Sequence, residues 1–202
     1  WGSGRFEYDA LDNIRTKTLG SRVVEVYYDT QNRVSRFRDT SEGNTWQAYF
    51  YDARGNIIDN GLFAYGGANF AYDTANQPTR IYNSDFDETH SYDGNFKRVR
   101  TARDGKIIYW VYSAHTGTLV YKDEVTDNVR TRYASVGGAS IRQRNGIYEF
   151  THLDGQGTPV AATNSSGVLL WRELHTPYGE KTLDPAENRD DVSYTGHVQD
   201  DR

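Results

Sequence analysis

The dipeptide Tyr-Asp returns along this 202-residue chain at a nearly fixed interval, and no other feature restricts the fold so strongly. It lies within YDALDNI (8–14), YYDTQNRV (27–34), YFYDARGNI (49–57), FAYDTANQP (70–78) and SYDGNFKRV (91–99). Copies without the Asp follow in WVYSAHTGTL (110–119) and RYASVGGAS (132–140). The anchoring tyrosines Tyr8, Tyr28, Tyr51, Tyr72, Tyr92, Tyr112 and Tyr133 are 20, 23, 21, 20, 20 and 21 residues apart. A unit of about 20 residues is too short for a domain but long enough for two strands and two turns, so the chain must be built by adding hairpins in series.

Each copy reads as a β-hairpin. Val24, Val26 and Tyr28 alternate with Val23, Glu25 and Tyr27, which sends two sets of side chains to opposite faces of a strand. Asp9, Asp29, Asp52, Asp73 and Asp93 then suit the first position of a turn, where the carboxylate accepts a hydrogen bond from the amide two residues on. Asn32, Gly55 and Asn76, three residues after the Asp, tolerate the left-handed backbone. Ile14, Val34, Ile57 and Val99 are predicted to start the returning strands. No stretch has amphipathic helical periodicity, so the expected fold is all-β, a series of antiparallel hairpins in a curved or spiralling sheet of about 12–16 strands. Lys106–Tyr112 is apolar on both faces, which predicts cover on both sides of that part of the sheet.

Composition agrees with a folded chain of unusual make-up. Leu, Ile, Val and Phe supply only 39 of 202 residues, a level that raises the question of disorder. Sixteen Tyr, eight Phe and four Trp answer it, because aromatic rings carry most of the apolar area. Zero Cys excludes disulfide scaffolds, thiolate zinc sites and cysteine nucleophiles, and zero Met predicts an internal piece of a longer polypeptide. No apolar run is long enough for a membrane span, and Trp1–Phe6 lacks the basic and apolar regions of a secretion signal. A net charge of −5 makes nucleic acid an unlikely partner.

Catalytic readings are weak beside their structural alternatives. The five histidines, at 90, 115, 152, 175 and 197, have no metal-ligand spacing. Glu173 and His175 share one strand face and could do acid-base chemistry, but a cross-strand polar pair explains them better. Asp85, Asp87 and Glu88 resemble a glycosidase carboxylate pair and read more simply as a solvated turn. Asp184–Asp191 lacks the pattern of a calcium loop. The expectation is no catalytic residue, no cofactor and no metal. Arg-x-Arg pairs at Arg36/Arg38, Arg98/Arg100, Arg130/Arg132 and Arg142/Arg144 each project from one strand face. Of these, Arg98, Arg100, Arg130 and Arg132 are the candidate polyanion-binding residues, with cross-strand pairing to Asp and Glu as the simpler account.

The repeats resemble the YD repeats of the Rhs proteins, of Tc toxin subunits and of teneurins. The C-terminal third adds Tyr148–Thr163 with His152, Gly157 and Pro159, then Asn164–Val168, Trp171-Arg172, Pro177–Glu180 and Tyr194–Asp200. That order looks like the Rhs-associated core, although Asp154-Gly-Gln-Gly157 departs from the usual spacing. The resemblance covers residues 5–202 and implies YD repeats over 5–145 and the start of the core over 146–202. It also implies a bacterial shell, secreted or displayed at the cell surface as part of a larger exported protein, that encloses a C-terminal toxin or effector. Its partners would be the rest of the shell and that cargo. The family's D-P-x-G self-cleavage region is absent from these residues, so the resemblance assigns no cleavage site. The alternative is an adhesion module that binds glycans or polyanions. Open strand edges also predict self-association.

Overall fold

The computed structural model describes residues 4–61, 67–136, 139–176 and 179–183. Contacts divide the chain into two compact units, Trp1–Gly105 and Lys106–Arg202. In the first unit the strands are β1 (Gly4–Tyr8), β2 (Ile14–Leu19), β3 (Arg22–Tyr28), β4 (Val34–Asp39), β5 (Gln47–Ala48), β6 (Phe50–Tyr51), β7 (Ile57–Asp59), β8 (Asn69–Tyr72), β9 (Pro78–Tyr82), β10 (Asp87–Tyr92) and β11 (Arg98–Arg103). β1 to β5 pair in chain order, and so do β6 to β11. Between β5 and β6 the ladder continues through the Tyr49 amide, which donates to Ser35 O at 3.0 Å.

The second unit contains β12 (Lys106–Tyr112), β13 (Leu119–Glu124), β14 (Val129–Val136), β15 (Ala139–Arg144), β16 (Ile147–Leu153), β17 (Pro159–Asn164) and β18 (Leu169–Arg172) as one meander. A separate ribbon joins β19 (Leu174–His175) to β20 (Lys181–Leu183). Every pairing with a determined register is antiparallel between consecutive strands. The all-β hairpin series expected from the repeat is therefore the observed fold. Residues 145 and 146 form the tip of the β15–β16 hairpin.

Three details differ from the sequence reading. The fifth returning strand starts at Arg98, not Val99, because Tyr92 pairs with Arg98. Tyr133 does not end a strand: it sits inside β14 opposite Arg142, and β14 runs on to Val136. Of the β12 side chains, Trp110 is 3% exposed while Tyr109 and Val111 are 45% and 47% exposed. Among the described residues, only one face of that strand is covered.

The longest repeat interval, from Tyr28 to Tyr51, holds the only 3-10 turn among the described residues, η1 (Thr40–Glu42). Asp39 caps it by accepting from Ser41 N at 2.9 Å, and Gly43 closes it in the left-handed conformation at φ 73°. The same carboxylate takes Arg22 Nε at 2.8 Å and Nη2 at 2.5 Å. Asp39 is 3% exposed. Burial alone would raise its pKa, yet the hydrogen bonds from Arg22 and Ser41 and the Arg22 charge hold it at about 2.

A folded-state value below the ordinary 3.8 means the stabilisation is full above the unfolded value and is lost as pH falls toward about 2. Asp39→Asn is expected to lower stability at pH 7 by about 2 kcal/mol in urea unfolding. The difference from the parent chain should close as the pH is brought down toward 2, in step with protonation of the native carboxylate.

Candidate functional site

The residues that repeat are also those that make the turns. Asp9 Oδ1 accepts from Leu11 N at 2.8 Å and Asn13 N at 3.0 Å. Asp29, Asp52, Asp73 and Asp93 each accept from the amides two and four residues on, all at 2.8 to 2.9 Å. The residue three after the Asp is left-handed at every copy: Asp12, Asn32, Gly55, Asn76 and Phe96 have φ of 61°, 62°, 88°, 62° and 60°. The register slips by one at each Tyr, as a three-residue hairpin loop with a bulge requires. Hydrogen bonds from Asn13, Arg33 and Asn56 hold Asp9, Asp29 and Asp52 below the usual carboxylate range.

The tyrosines join one repeat to the one before. Tyr28 Oη donates to Ile14 O at 3.0 Å, Tyr51 to Val34 O at 2.7 Å, Tyr72 to Ile57 O at 2.8 Å and Tyr92 to Pro78 O at 2.8 Å. Each acceptor is the first residue of the strand returning from the preceding turn. Burial pushes the Tyr28, Tyr51 and Tyr72 phenols above their ordinary pKa. Turn tips also touch: Asn13 Nδ2 donates to Asn32 Oδ1 at 2.7 Å and Asn56 Nδ2 to Asn76 Oδ1 at 3.0 Å. The turn after Tyr112 is one residue longer, closed by Ser113 N to Thr118 O at 2.9 Å.

Two copies of this turn escaped the sequence pattern. Asp154 accepts from Gln156 N and Thr158 N, and Asn164 from Ser166 N and Val168 N, with Gly157 and Gly167 left-handed. The Asx and Gly three apart were the available signal; the residue before each is Leu153 or Thr163 instead of Tyr, which hid them.

Strand pairing places Trp110, Lys122, Thr131, Arg142, Thr151, Ala162 and Trp171 on one face of the second unit, all under 5% exposed. That face is charged as well as buried. Lys122 Nζ lies 4.9 Å from the Trp110 ring and 3.5 Å from Glu124, Arg144 reaches Glu124 at 3.2 Å, and Arg142 bonds Glu149. The opposite face is the exposed one, with Tyr109, Val111, Tyr148, Arg130 and Arg132. It has a shallow groove of about 480 Å³ lined in part by Tyr121, Arg132, Ala134, Ile141, Gln143 and Tyr148.

The candidate arginines are divided between the units. Arg98 and Arg100 lie on β11, facing Tyr92 and Ser91. Arg130 is 3.8 Å from Asp123, and Arg132 Nη1 donates to Gln143 at 2.8 Å. The acidic trio is not a carboxylate pair: Asp87 holds Arg80 at 2.7 Å, whereas Glu88 faces His90 at 3.1 Å and Arg103 at 3.7 Å. Glu173 is fully buried, 2.7 Å from Lys181 Nζ and 3.7 Å from His175. Among the described residues no group of three or more His, Asp or Glu could hold a metal. Asp184–Asp191, Pro177-Tyr178 and Tyr194–Asp200 lie outside the described residues.

A family model described as the Teneurin YD-shell matches residues 3–202. The chain belongs to that family. The Rhs/YD-repeat resemblance carried by the Tyr-Asp repeats and the C-terminal motifs is thereby borne out. The tRNA3(Ser)-specific nuclease WapA of Bacillus spizizenii is 22% identical over 210 residues, covering 97% of this chain and 8% of that protein. Teneurin-4 of Mus musculus is 25% identical over 194 residues, 91% of this chain and 7% of that protein. The solved TcdB2-TccC3-TEV structure aligns over 98% of this chain and 14% of that chain, at 13% identity and a TM-score of 0.49. The YD-shell chain thus spans less than a tenth of the length of these two curated relatives.

Three substitutions test the turn of this YD-shell chain. Asp73→Asn should be close to neutral in thermal unfolding, because Asn164 makes the same two bonds elsewhere. Asp73→Ala should cost about 1–2 kcal/mol by leaving two amides without their acceptor. Phe96 is 60% exposed and left-handed, so Phe96→Asn should stabilise by about 0.5–1 kcal/mol.

Proposed function

We propose that this stretch is a non-catalytic structural segment of an Rhs/YD-repeat shell that encloses a C-terminal toxin or effector polypeptide. The observation that carries this reading is the Tyr-to-carbonyl link between successive repeats. It fastens each hairpin to the one before through the sheet itself, so the wall can grow by whole repeats from one sequence pattern. Walls need closure more than chemistry, and the ionisable groups placed inside are tied to one another: Lys122 to Glu124, Arg142 to Glu149, Glu173 to Lys181. The WapA relatives are named as nucleases, but this chain covers 8% of each of the first two. We assign the nuclease activity of those proteins to no residue here.

In this reading the protein acts outside the bacterial cytoplasm, as one part of an exported polypeptide, and its partners are the remaining shell and the cargo. No helix among the described residues is long and apolar enough to cross a membrane, which says nothing about strands. Strand edges at β1 and β18, with Val168 and Leu169 58% and 59% exposed, are the surfaces through which an isolated segment would self-associate.

A second reading, a glycan- or polyanion-binding module, is favoured by the groove beside Arg132. Tyr121 and Tyr148 offer rings for stacking there, and Arg132 and Gln143 offer hydrogen bonds. Arg130, exposed on the same face, would extend the charge there, whereas Arg98 and Arg100 belong to the first unit.

Limited proteolysis of this stretch together with the polypeptide that its own gene encodes around it tests the first reading. Enclosure is expected to protect the C-terminal polypeptide until the wall is opened by denaturant; digestion of that polypeptide at the rate of an unstructured chain would overturn it. Light scattering of the 202-residue chain is expected to show dimers or larger species, and a stable monomer at high concentration would refute edge pairing. Salt-sensitive glycan binding lost in Arg130→Ser and Arg132→Ser would instead support the second reading.

A further inference from the structure

The dipeptide Asn-Gly occurs twice in the chain, at Asn60-Gly61 and Asn145-Gly146. The two asparagines are held in the same way. Asn60 N donates to Ala68 O at 3.3 Å, and Asn60 Oδ1 accepts from Ala68 N at 2.8 Å. Asn145 N donates to Arg130 O at 3.2 Å, and Asn145 Oδ1 accepts from Arg130 N at 3.2 Å. In each case the side-chain carbonyl stands in for a ladder acceptor opposite the neighbouring strand. That bond also polarises the carboxamide, on whose oxygen negative charge would develop if a nucleophile attacked its carbon.

The glycines differ. Gly61 is buried, its amide donates to Asp59 Oδ1 at 2.8 Å, and the Ala48 carbonyl oxygen lies 2.4 Å from where a Cβ on Gly61 would stand. The Asn60–Gly61 peptide plane is thus fixed by a hydrogen bond and by packing. Gly146 is exposed at the tip of the β15–β16 turn, which the pair Arg144 and Ile147 closes. Beyond its chain neighbours nothing lies within 4 Å of its Cβ position, and among the described residues no acceptor takes its amide. Both turn residues are left-handed, Asn145 at φ 47° and Gly146 at φ 86°, as a two-residue hairpin loop demands.

We propose that Asn145 is a site of spontaneous deamidation, and that the fold withholds the same reaction from Asn60. Hydroxide removes the Gly146 amide proton, and the nitrogen attacks Asn145 Cγ. The N–Cγ bond forms as the Cγ–Nδ2 bond breaks, and Nδ2 takes a proton from water and leaves as ammonia. Water then opens the five-membered imide. Breaking the bond from N to Cγ gives aspartate at position 145, and breaking the bond from N to the main-chain carbonyl carbon gives isoaspartate. Nothing is oxidised or reduced. Ring closure requires the Asn–Gly peptide plane to turn toward Cγ, and of the two glycines only Gly146 has room for that. Aspartate keeps an acceptor for Arg130 N and adds one negative charge. Isoaspartate lengthens the main chain by one carbon within a turn whose two residues leave no slack. The reaction needs neither the groove at Arg132 nor enclosure of a cargo.

The test is peptide mapping by mass spectrometry of the 202-residue chain held at mildly alkaline pH, folded and in denaturing guanidinium chloride. In the folded chain Asn145 is expected to deamidate about tenfold or more faster than Asn60, because Asn60 must wait for a local opening. In denaturant the two rates should agree to within about twofold, since the same dipeptide then meets only solvent. Asp59→Ala, which frees the Gly61 amide, should raise the Asn60 rate severalfold and leave Asn145 unchanged, and circular dichroism identifies a variant that fails to fold. Equal rates at the two sites of the folded chain, a faster reaction at Asn60, or no conversion of Asn145 in the time that converts the denatured chain would overturn the proposal. So would a preference for Asn145 that persists undiminished in denaturant, which would place its cause in the neighbouring sequence and not in the fold.

Discussion

A carboxylate that accepts two amides of its own loop is the contact on which this architecture rests. An antiparallel sheet extended by short hairpins reverses direction every few residues, and each reversal leaves backbone N–H groups turned away from the ladder. At Asp9, Asp29, Asp52, Asp73, Asp93 and Asp154 a single oxygen takes the amides at positions two and four, and the chain is committed to a left-handed residue between them. Asn164 does the same without a charge. The requirement is therefore for an oxygen at the right reach, and the charge of Asp is secondary to its geometry.

The tyrosine supplies what the turn cannot. A turn fixes two strands relative to each other but leaves the next hairpin free to slip by one register, which would invert every side chain. The bond from Tyr28, Tyr51, Tyr72 or Tyr92 to the first carbonyl of the preceding returning strand spans 14 to 17 residues of sequence and pins the register of neighbouring repeats. Ring and hydroxyl serve different ends: the ring supplies buried area that a chain poor in Leu and Ile lacks, and the hydroxyl sets the alignment.

This division explains how much of the molecule was legible in its sequence. The Tyr, the Asp and the left-handed residue recur because the turn tolerates few substitutes, so the hairpins and their order could be read directly. Where Ser113 takes only the amide three residues on, where the oxygen comes from Asn164, or where no Tyr precedes the turn, the pattern fades although the structure does not. Tyr133 shows the converse: a tyrosine at the expected interval sits in the middle of β14, because spacing alone does not make a turn without an Asx to hold it. The inside of the second unit was less legible still. Lys122 and Arg142 are almost fully buried, while Tyr109 and Val111 remain exposed, the reverse of what polarity predicts for a sheet. Burial there depends on which face the neighbouring strands crowd, a property of pairing across seven strands that no single strand encodes.

The same reasoning bears on where such a protein can acquire function. A repeat whose turn and register residues are fixed has freedom only in its strand faces and in the length of its connections. The one interval that lengthens to 23 residues shows what that freedom allows. Three added residues admit η1, η1 requires a cap, and Asp39 serves as that cap while holding Arg22. The returning chain then delivers Trp46 onto the β4 arginines. The stabilising turns are untouched on both sides, at Asp29 and Asp52, so the insertion adds a cationic aromatic surface without disturbing the ladder that carries it. In a sheet of repeated hairpins, the irregular connection is the place where one repeat can come to differ chemically from the next.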